Sequence, residues 1–303
     1  PGPRVRPEFR NIHVSQIEVG FLKSPMMDKR QVAAERIGDY EPWRASQVAL
    51  SEFCLDVDAE RERYLTHKRS IVQRVGRGPL RVKDDGAERA QLEAAKFLRA
   101  SMLELPAWRG QSEALADMEL DELMMQLQED LVIMQCPAGH APERARAVYL
   151  HVCFPSGWVP ARLLGKSFPA LHARVPYEPG FERAERALHA GQLFAEPAAR
   201  YVWTVAPFGS LDRHPEQSPV ADWPNATQAF LRVERQILLP LAAASLAAES
   251  TALFLIRVYV YPVERLSVEQ RRVLLAGVNA LPESMRRYKG LLGHEERLRQ
   301  LSI

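Results

Sequence analysis

Apolar residues recur three and four positions apart in the first third of the chain, at Val48, Leu50, Phe53 and Leu55 and again at Leu92, Ala95, Phe97, Leu98 and Met102. That spacing gathers them on one side of a helix and predicts a mainly helical segment over residues 31–128. Gly76, Gly78 and Pro79 interrupt it, and so do Asp84, Asp85 and Gly86, because such clusters favour turns over continued helix. The residues before Gln31 keep no steady period and read as an arm laid over a later part of the chain.

At Asp130 the period shortens. Residues 130–136 and 147–154 are short runs rich in β-branched and aromatic side chains, separated by Pro137, Gly139 and Pro142, which predicts strand, loop, strand. In the second run Val148, Leu150, Val152 and Phe154 alternate with Tyr149, His151 and Cys153, so the two sets are expected on opposite faces. A helix is predicted over 181–190, a strand over 200–205, a helix over 227–239 and a strand over 252–261. Along this last strand Phe254, Ile256, Val258 and Val260 share one face and Leu255, Arg257, Tyr259 and Tyr261 the other. Ser267 followed by Gln270 forms a capping box that starts a final helix, and Pro282 ends it. Strands joined by hairpins or single helices, with no βαβ repeat, predict an α+β fold with an antiparallel sheet. The chain is expected to divide into an N-terminal arm and helical region (1–128) and a core (129–303).

Composition narrows the function classes. The chain has 303 residues and is 47% hydrophobic, with 40 basic against 38 acidic side chains, values of an ordinary globular protein with no overall charge to draw nucleic acid or an anionic membrane. The most apolar stretch, 237–263, is broken by Pro240, Glu249 and Arg257, so no membrane helix is expected. Cys54, Cys136 and Cys153 are too scattered for a disulfide framework or a four-thiolate metal site, which points to a cytoplasmic setting and to cysteines that serve as small core residues. Pro160 stands where a phosphate-binding loop ending in Gly165-Lys166-Ser167 needs its first glycine. Gly76-Arg77-Gly78 lacks the third glycine of a dinucleotide fingerprint, and His294-Glu295 lacks the second histidine of a zinc protease helix.

What remains is a concentration of special residues between Glu129 and Lys289. The motifs are Glu129-Asp130, Phe154-Pro155-Ser156-x-Trp158, Leu164-Gly165-Lys166, His172-x-x-Val175-Pro176, Arg200-x-x-Trp203, Arg232-x-Glu234-Arg235-Gln236 and Tyr288-Lys289-Gly290. In order and spacing this set resembles the haem-dependent oxidative N-demethylases, whose members look like a PAS-type sheet that has become an oxygenase. Two departures bear on the substrate pocket: Arg174 replaces a small residue or proline, and Tyr201-Val202 replaces a more polar pair.

The resemblance implies a PAS-like core and a b-type haem held by His172, with Lys166, Arg174, Arg200, Trp158, Trp203 and Val175 around it. It implies that O2 and external electrons demethylate a small amine with release of formaldehyde. Since the chain has neither a nucleotide fingerprint nor an iron–sulfur cysteine set, the electrons are expected from a separate reductase subunit or protein. Arg257, Tyr259 and Glu234 are the expected catalytic side chains. Read from the residues alone, each has a plainer alternative. His151 rivals His172 as ligand, and thiolate ligation by Cys153 lacks a positive neighbour in sequence. A buried Arg257 must be paired, whether to a propionate, a substrate carboxylate, Glu234 or Asp130; Arg200 falls under the same argument. Arg232 and Arg235 fall on the predicted helix, where a solvated face is the default, and Lys166 suits the surface equally. Trp158 and Trp203 fit a core or a cationic methylammonium. Glu129 and Asp130 fit an arginine pair, a cap or a substrate amine. A haem-binding sensor and a haem-free binding module of the same fold are the alternatives to an enzyme.

Overall fold

The computed structural model describes residues 41–42, 49–78, 80–171, 173, 176, 191, 193–216, 222–241 and 249–302. The strands are β1 (Glu41–Pro42), β2 (Arg81–Lys83), β3 (Asp130–Cys136), β4 (Arg146–His151), β5 (Ala198–Ala206), β6 (Phe230–Pro240) and β7 (Ser250–Pro262). The helices are α1 (Leu50–Cys54), α2 (Arg61–Val75), α3 (Glu88–Glu104), α4 (Ser112–Ala116), α5 (Leu120–Met124), α6 (Phe168–Leu171), α7 (Val268–Ala280), α8 (Glu283–Tyr288) and α9 (Glu295–Leu301). All pairings are antiparallel and the strands lie in the order β1-β5-β6-β7-β3-β4-β2. The α+β class expected from the sequence is therefore the observed one.

β7 lies at the centre of the sheet and both its faces are buried, which is why its apolar residues run almost without interruption. The expected alternation holds there. Phe254, Ile256 and Val258 pack into one core cluster with Val132, Leu150, Phe154 and Phe168. On the other face Leu253 and Leu255 pack with α3 and α5, while Tyr259 and Tyr261 pack with Leu274 and Val278 of α7 and Leu298 of α9. β7 runs on past its neighbour: β3 pairs with it only up to Ile256, and the Tyr64 hydroxyl donates to the Val258 carbonyl beyond that point.

Three local expectations are corrected. Residues 227–239 are not helical; Phe230–Pro240 is strand β6, paired over its length with β5 and β7. The polar run from Arg232 to Gln236 mimics a helix face, yet Arg232, Glu234 and Gln236 lie on one face of a strand and Arg235 on the other, with Leu231, Val233 and Ile237. In β4, Ile133 faces Tyr149 and Met134 faces Ala147, so Val148 is an extra residue. This bulge places Val148 and Tyr149 in the same core cluster, and Cys153, which follows the end of the strand, joins the opposite one. Within residues 31–128 the helices are real, but β2 intervenes at the Gly78 break. The arm before residue 31 and the helix predicted over 181–190 lie outside the described residues.

The capping box is present: the Ser267 hydroxyl accepts from the Gln270 amide at 3.2 Å, and the Gln270 side chain accepts from the Ser267 amide at 2.8 Å. Ser267→Ala is expected to lower stability by about 1 kcal/mol, measured as a shift of the urea midpoint with unchanged slope.

Candidate functional site

The sheet register sorts the charged residues onto two faces. Tyr201, Arg235 and Arg257 are neighbours across β5, β6 and β7 on one face, and Arg200, Gln236, Ile256 and Asp130 are neighbours on the other.

On the first face, Arg257 is 1% exposed and pairs with Asp58 at 2.9 Å. Its guanidinium lies 3.7 Å from the centre of the Tyr64 ring and 4.8 Å from that of Tyr259. Tyr259 donates to Asp56, the Asp56 amide donates to Glu129 at 2.8 Å, and Gln128 binds the Asp58 side chain at 2.9 Å. Arg235 donates to the Phe53 carbonyl. Among the described residues, the carboxylates of Asp56, Asp58 and Glu129 thus lie around the guanidiniums of Arg235 and Arg257. Burial pushes the Glu129 carboxyl above its ordinary range against the attraction of Arg257, and its Oε2 makes no hydrogen bond.

The second face holds the loop that carries the Phe154 motif. Asp130 accepts from the amides of Cys153 at 2.9 Å and Phe154 at 2.7 Å. Burial raises the Asp130 pKa, opposed by Lys68 and these two amides. Arg232, 2% exposed, donates to Phe154 O at 3.0 Å, Leu211 O at 2.8 Å and Ser156 Oγ at 2.9 Å. Because a guanidinium only donates, the Ser156 hydrogen is directed to its other partner, Glu234 Oε1. Glu234 Oε2 accepts from Gln236 at 2.9 Å. The same face carries a buried apolar cluster that includes Phe154, Val258, Leu211, Leu193 and Phe194, with Trp158, Leu164, Leu171 and Val260 partly buried against it.

The predicted site residues do not form one cluster. Arg257, Tyr259 and Trp203 sit on the first face, where Trp203 packs with Val233 and Tyr259 and under Lys289, 5.1 Å away. Arg200, Glu234 and Trp158 belong to the second. Lys166 is exposed. His172, Arg174 and Val175 lie outside the described residues. The salt-bridge alternatives for Arg257 are corrected, since Glu234 projects from the opposite face and Asp130 lies 3.8 Å from Lys68. Arg232 and Arg235 are buried strand residues rather than a solvated helix face. Glu129 and Asp130 mainly hold backbone amides.

The histidine and cysteine rivals are buried. His151 is 2% exposed, 3.4 Å from Asp121, and burial holds its pKa well below the ordinary value. Burial pushes the Cys153 thiol up to about 12 even with Lys68 beside it, and Cys54 likewise to about 12; both are thiols, and neither suits thiolate ligation. Sequence reasoning missed Asp56, Asp58, Lys68, Arg213 and His214. Lys68 had a signal: it falls on the stripe Tyr64, Leu65, Ile71 at helical spacing, where a lysine must find internal acceptors. It finds them in the carbonyls of Met124 and Glu129. His214 is 3% exposed, and its Nδ1 accepts from the Glu216 amide at 3.2 Å.

Among the described residues no helix is long and apolar enough to cross a membrane, and no group of three His, Cys, Asp or Glu side chains is set to hold a metal ion. No curated protein matches the chain. A family profile described as haem-dependent oxidative N-demethylase, alpha subunit-like, matches residues 47–299. That span takes in α1 to α8, all the strands except β1, and every motif gathered on the two faces of the sheet. The chain therefore belongs to the haem-dependent oxidative N-demethylase, alpha subunit-like family.

Proposed function

We propose that the chain is the haem b-binding, PAS-like subunit of an oxygenase that demethylates a small amine. The observation that carries this reading is the family match across residues 47–299. The balanced reaction takes one O2, two electrons and two protons with the N-methyl amine, and yields the demethylated amine, formaldehyde and water. The electrons come from a separate reductase partner, in keeping with a family named for an alpha subunit.

What supports placing a haem on the second face is an apolar cluster whose edge, at Trp158, Leu164, Leu171 and Val260, is partly open and against which a macrocycle would pack, with the guanidiniums of Arg213 and Arg232 near it. When bound, haem supplies oxygen activation at iron. The chain's own residues do the rest. His172 would hold the haem iron, with Arg174 and Val175 following it in the sequence. Trp158 extends the cluster, and Arg200 and Lys166 offer charge to the propionates. Glu234, held as an acceptor by Ser156 and Gln236, is a fixed carboxylate on this face. Arg257 and Tyr259 act from the other face by holding the sheet against the Asp56–Asp58 loop, and with Trp203 they set the shape of the strands that carry Arg200 and Glu234.

The test is an absorption spectrum of the full chain supplied with haem, beside His172→Ala and His151→Ala at equal folded concentration. A Soret band in the wild type and in His151→Ala, lost or shifted in His172→Ala, is the expected result, followed by formaldehyde release from a methylated amine with an electron donor. No Soret band in the wild type after haem addition overturns the proposal.

A further inference from the structure

Arg213 is built into the second face more firmly than a surface arginine needs to be. Its amide donates to Pro155 O at 3.1 Å and its carbonyl accepts from Gly157 at 3.0 Å, bridging it to the Phe154–Trp158 loop. Arg232 holds the neighbouring Leu211 carbonyl at 2.8 Å. Upstream, Gly209 lies so close to the Phe230 ring that a Cβ would stand 2.7 Å from it, so the segment is seated on the start of β6 by a contact only glycine allows.

Among the described residues the half-buried side chain so placed has no protein hydrogen-bond acceptor. The guanidinium stacks 5.0 Å from the centre of the Phe208 ring. Burial lowers its pKa, with Glu234 only partly opposing this. Arg232, by contrast, has protein acceptors in three directions. The nearby carboxylates are taken: Glu234 by Ser156 and Gln236, Asp130 by Lys68 and two amides, and Asp212 by Arg74 at 2.9 Å. Among the described residues the two guanidiniums of Arg213 and Arg232 thus share the attraction of Glu234, beside an apolar cluster. A poorly hydrated, planar fork of N–H donors backed by an aromatic ring matches the geometry of a carboxylate.

We propose that Arg213 receives the carboxylate of a bound ligand at the rim of this sheet face, beside Ser156. Resting on the reading of function above, that carboxylate belongs either to a haem propionate or to a methylated amino acid that is itself the substrate.

The experiment compares the wild-type full chain with Arg213→Met, which keeps an apolar stem on Phe208, and with Arg213→Lys. Haemin and haem dimethyl ester, whose propionates are capped, are titrated by Soret absorption. The haem-free proteins are melted with N-methylglycine and with dimethylamine at equal ionic strength. If the source is a propionate, Arg213→Met weakens haemin roughly tenfold or more, leaves the ester unchanged, and Arg213→Lys recovers part of the loss. If the source is the substrate, haemin and ester behave alike in all three proteins, and N-methylglycine but not dimethylamine raises the melting temperature of the wild type and not of Arg213→Met. Either result supports the carboxylate site. A wild type that takes up no haem overturns the haem reading alone, and the N-methylglycine comparison then decides on Arg213. If Arg213→Met changes neither comparison, the proposal is wrong.

Discussion

Replacing Arg257 with methionine lowers the free energy of unfolding by about 3 to 5 kcal/mol at neutral pH. The residue is 1% exposed and stands between Asp58, Tyr64 and Tyr259. Its loss takes from Asp58 its buried guanidinium partner and from Glu129 the attraction that opposes its burial, and the cost of leaving buried negative charge less compensated dominates. The deficit also depends on pH with a definite sign. Burial already raises the folded-state pKa of Glu129, and Arg257 is the first group that opposes it. Without Arg257 the folded chain binds protons more tightly than the unfolded one, so stability falls as pH rises from the unfolded carboxylate range to the raised folded value. The gap between wild type and Arg257→Met is therefore smaller at mildly acidic pH than at neutral pH. Urea denaturation of both proteins across that range checks it; a pH-independent gap would show that lost packing, not charge, is responsible.

The second large effect is expected at Arg232. Arg232→Met removes the donors that hold Phe154 O, Leu211 O and Ser156 Oγ and leaves buried carbonyls without partners, a loss of about 3 kcal/mol. Lysine restores little, because its point-like ammonium does not reach acceptors that the planar fork meets in three directions. Ser156→Ala removes only the hydroxyl between Arg232 and Glu234 and is expected to cost about 1 kcal/mol. Urea midpoints of the three variants separate the two roles. If Ser156→Ala falls as far as Arg232→Met, the hydroxyl relay rather than the clamp on the two loops holds this face together.

These residues also show what could be read along the chain. Helix α7 was legible to its first residue, because a capping box is complete within four positions. β7 was legible with both faces assigned, because strict alternation over a long apolar run leaves no helical reading. β6 was misread, since Arg232, Glu234, Arg235 and Gln236 look like a solvated helix face until β5 and β7 flank them. The register of β4 was missed because a single bulged residue, Val148, leaves no mark in the hydrophobic pattern. The motifs around Phe154, Glu234 and Lys289 marked the family correctly, yet they did not show that Arg257 and Glu234 stand on opposite faces of one sheet.

The sequence by itself determined the α+β class, the central strand with its two faces, the cap at Ser267 and membership of the family, all of which rest on residues near one another or on ordered motifs. Only the tertiary structure decided which charges are buried and what meets them. Arg257 finds Asp58 from 199 positions away and Arg232 finds Phe154 from 78. The state of a charged group depends on how far water is excluded and on which dipoles replace it, and those neighbours come together only when the sheet, helices and loops pack.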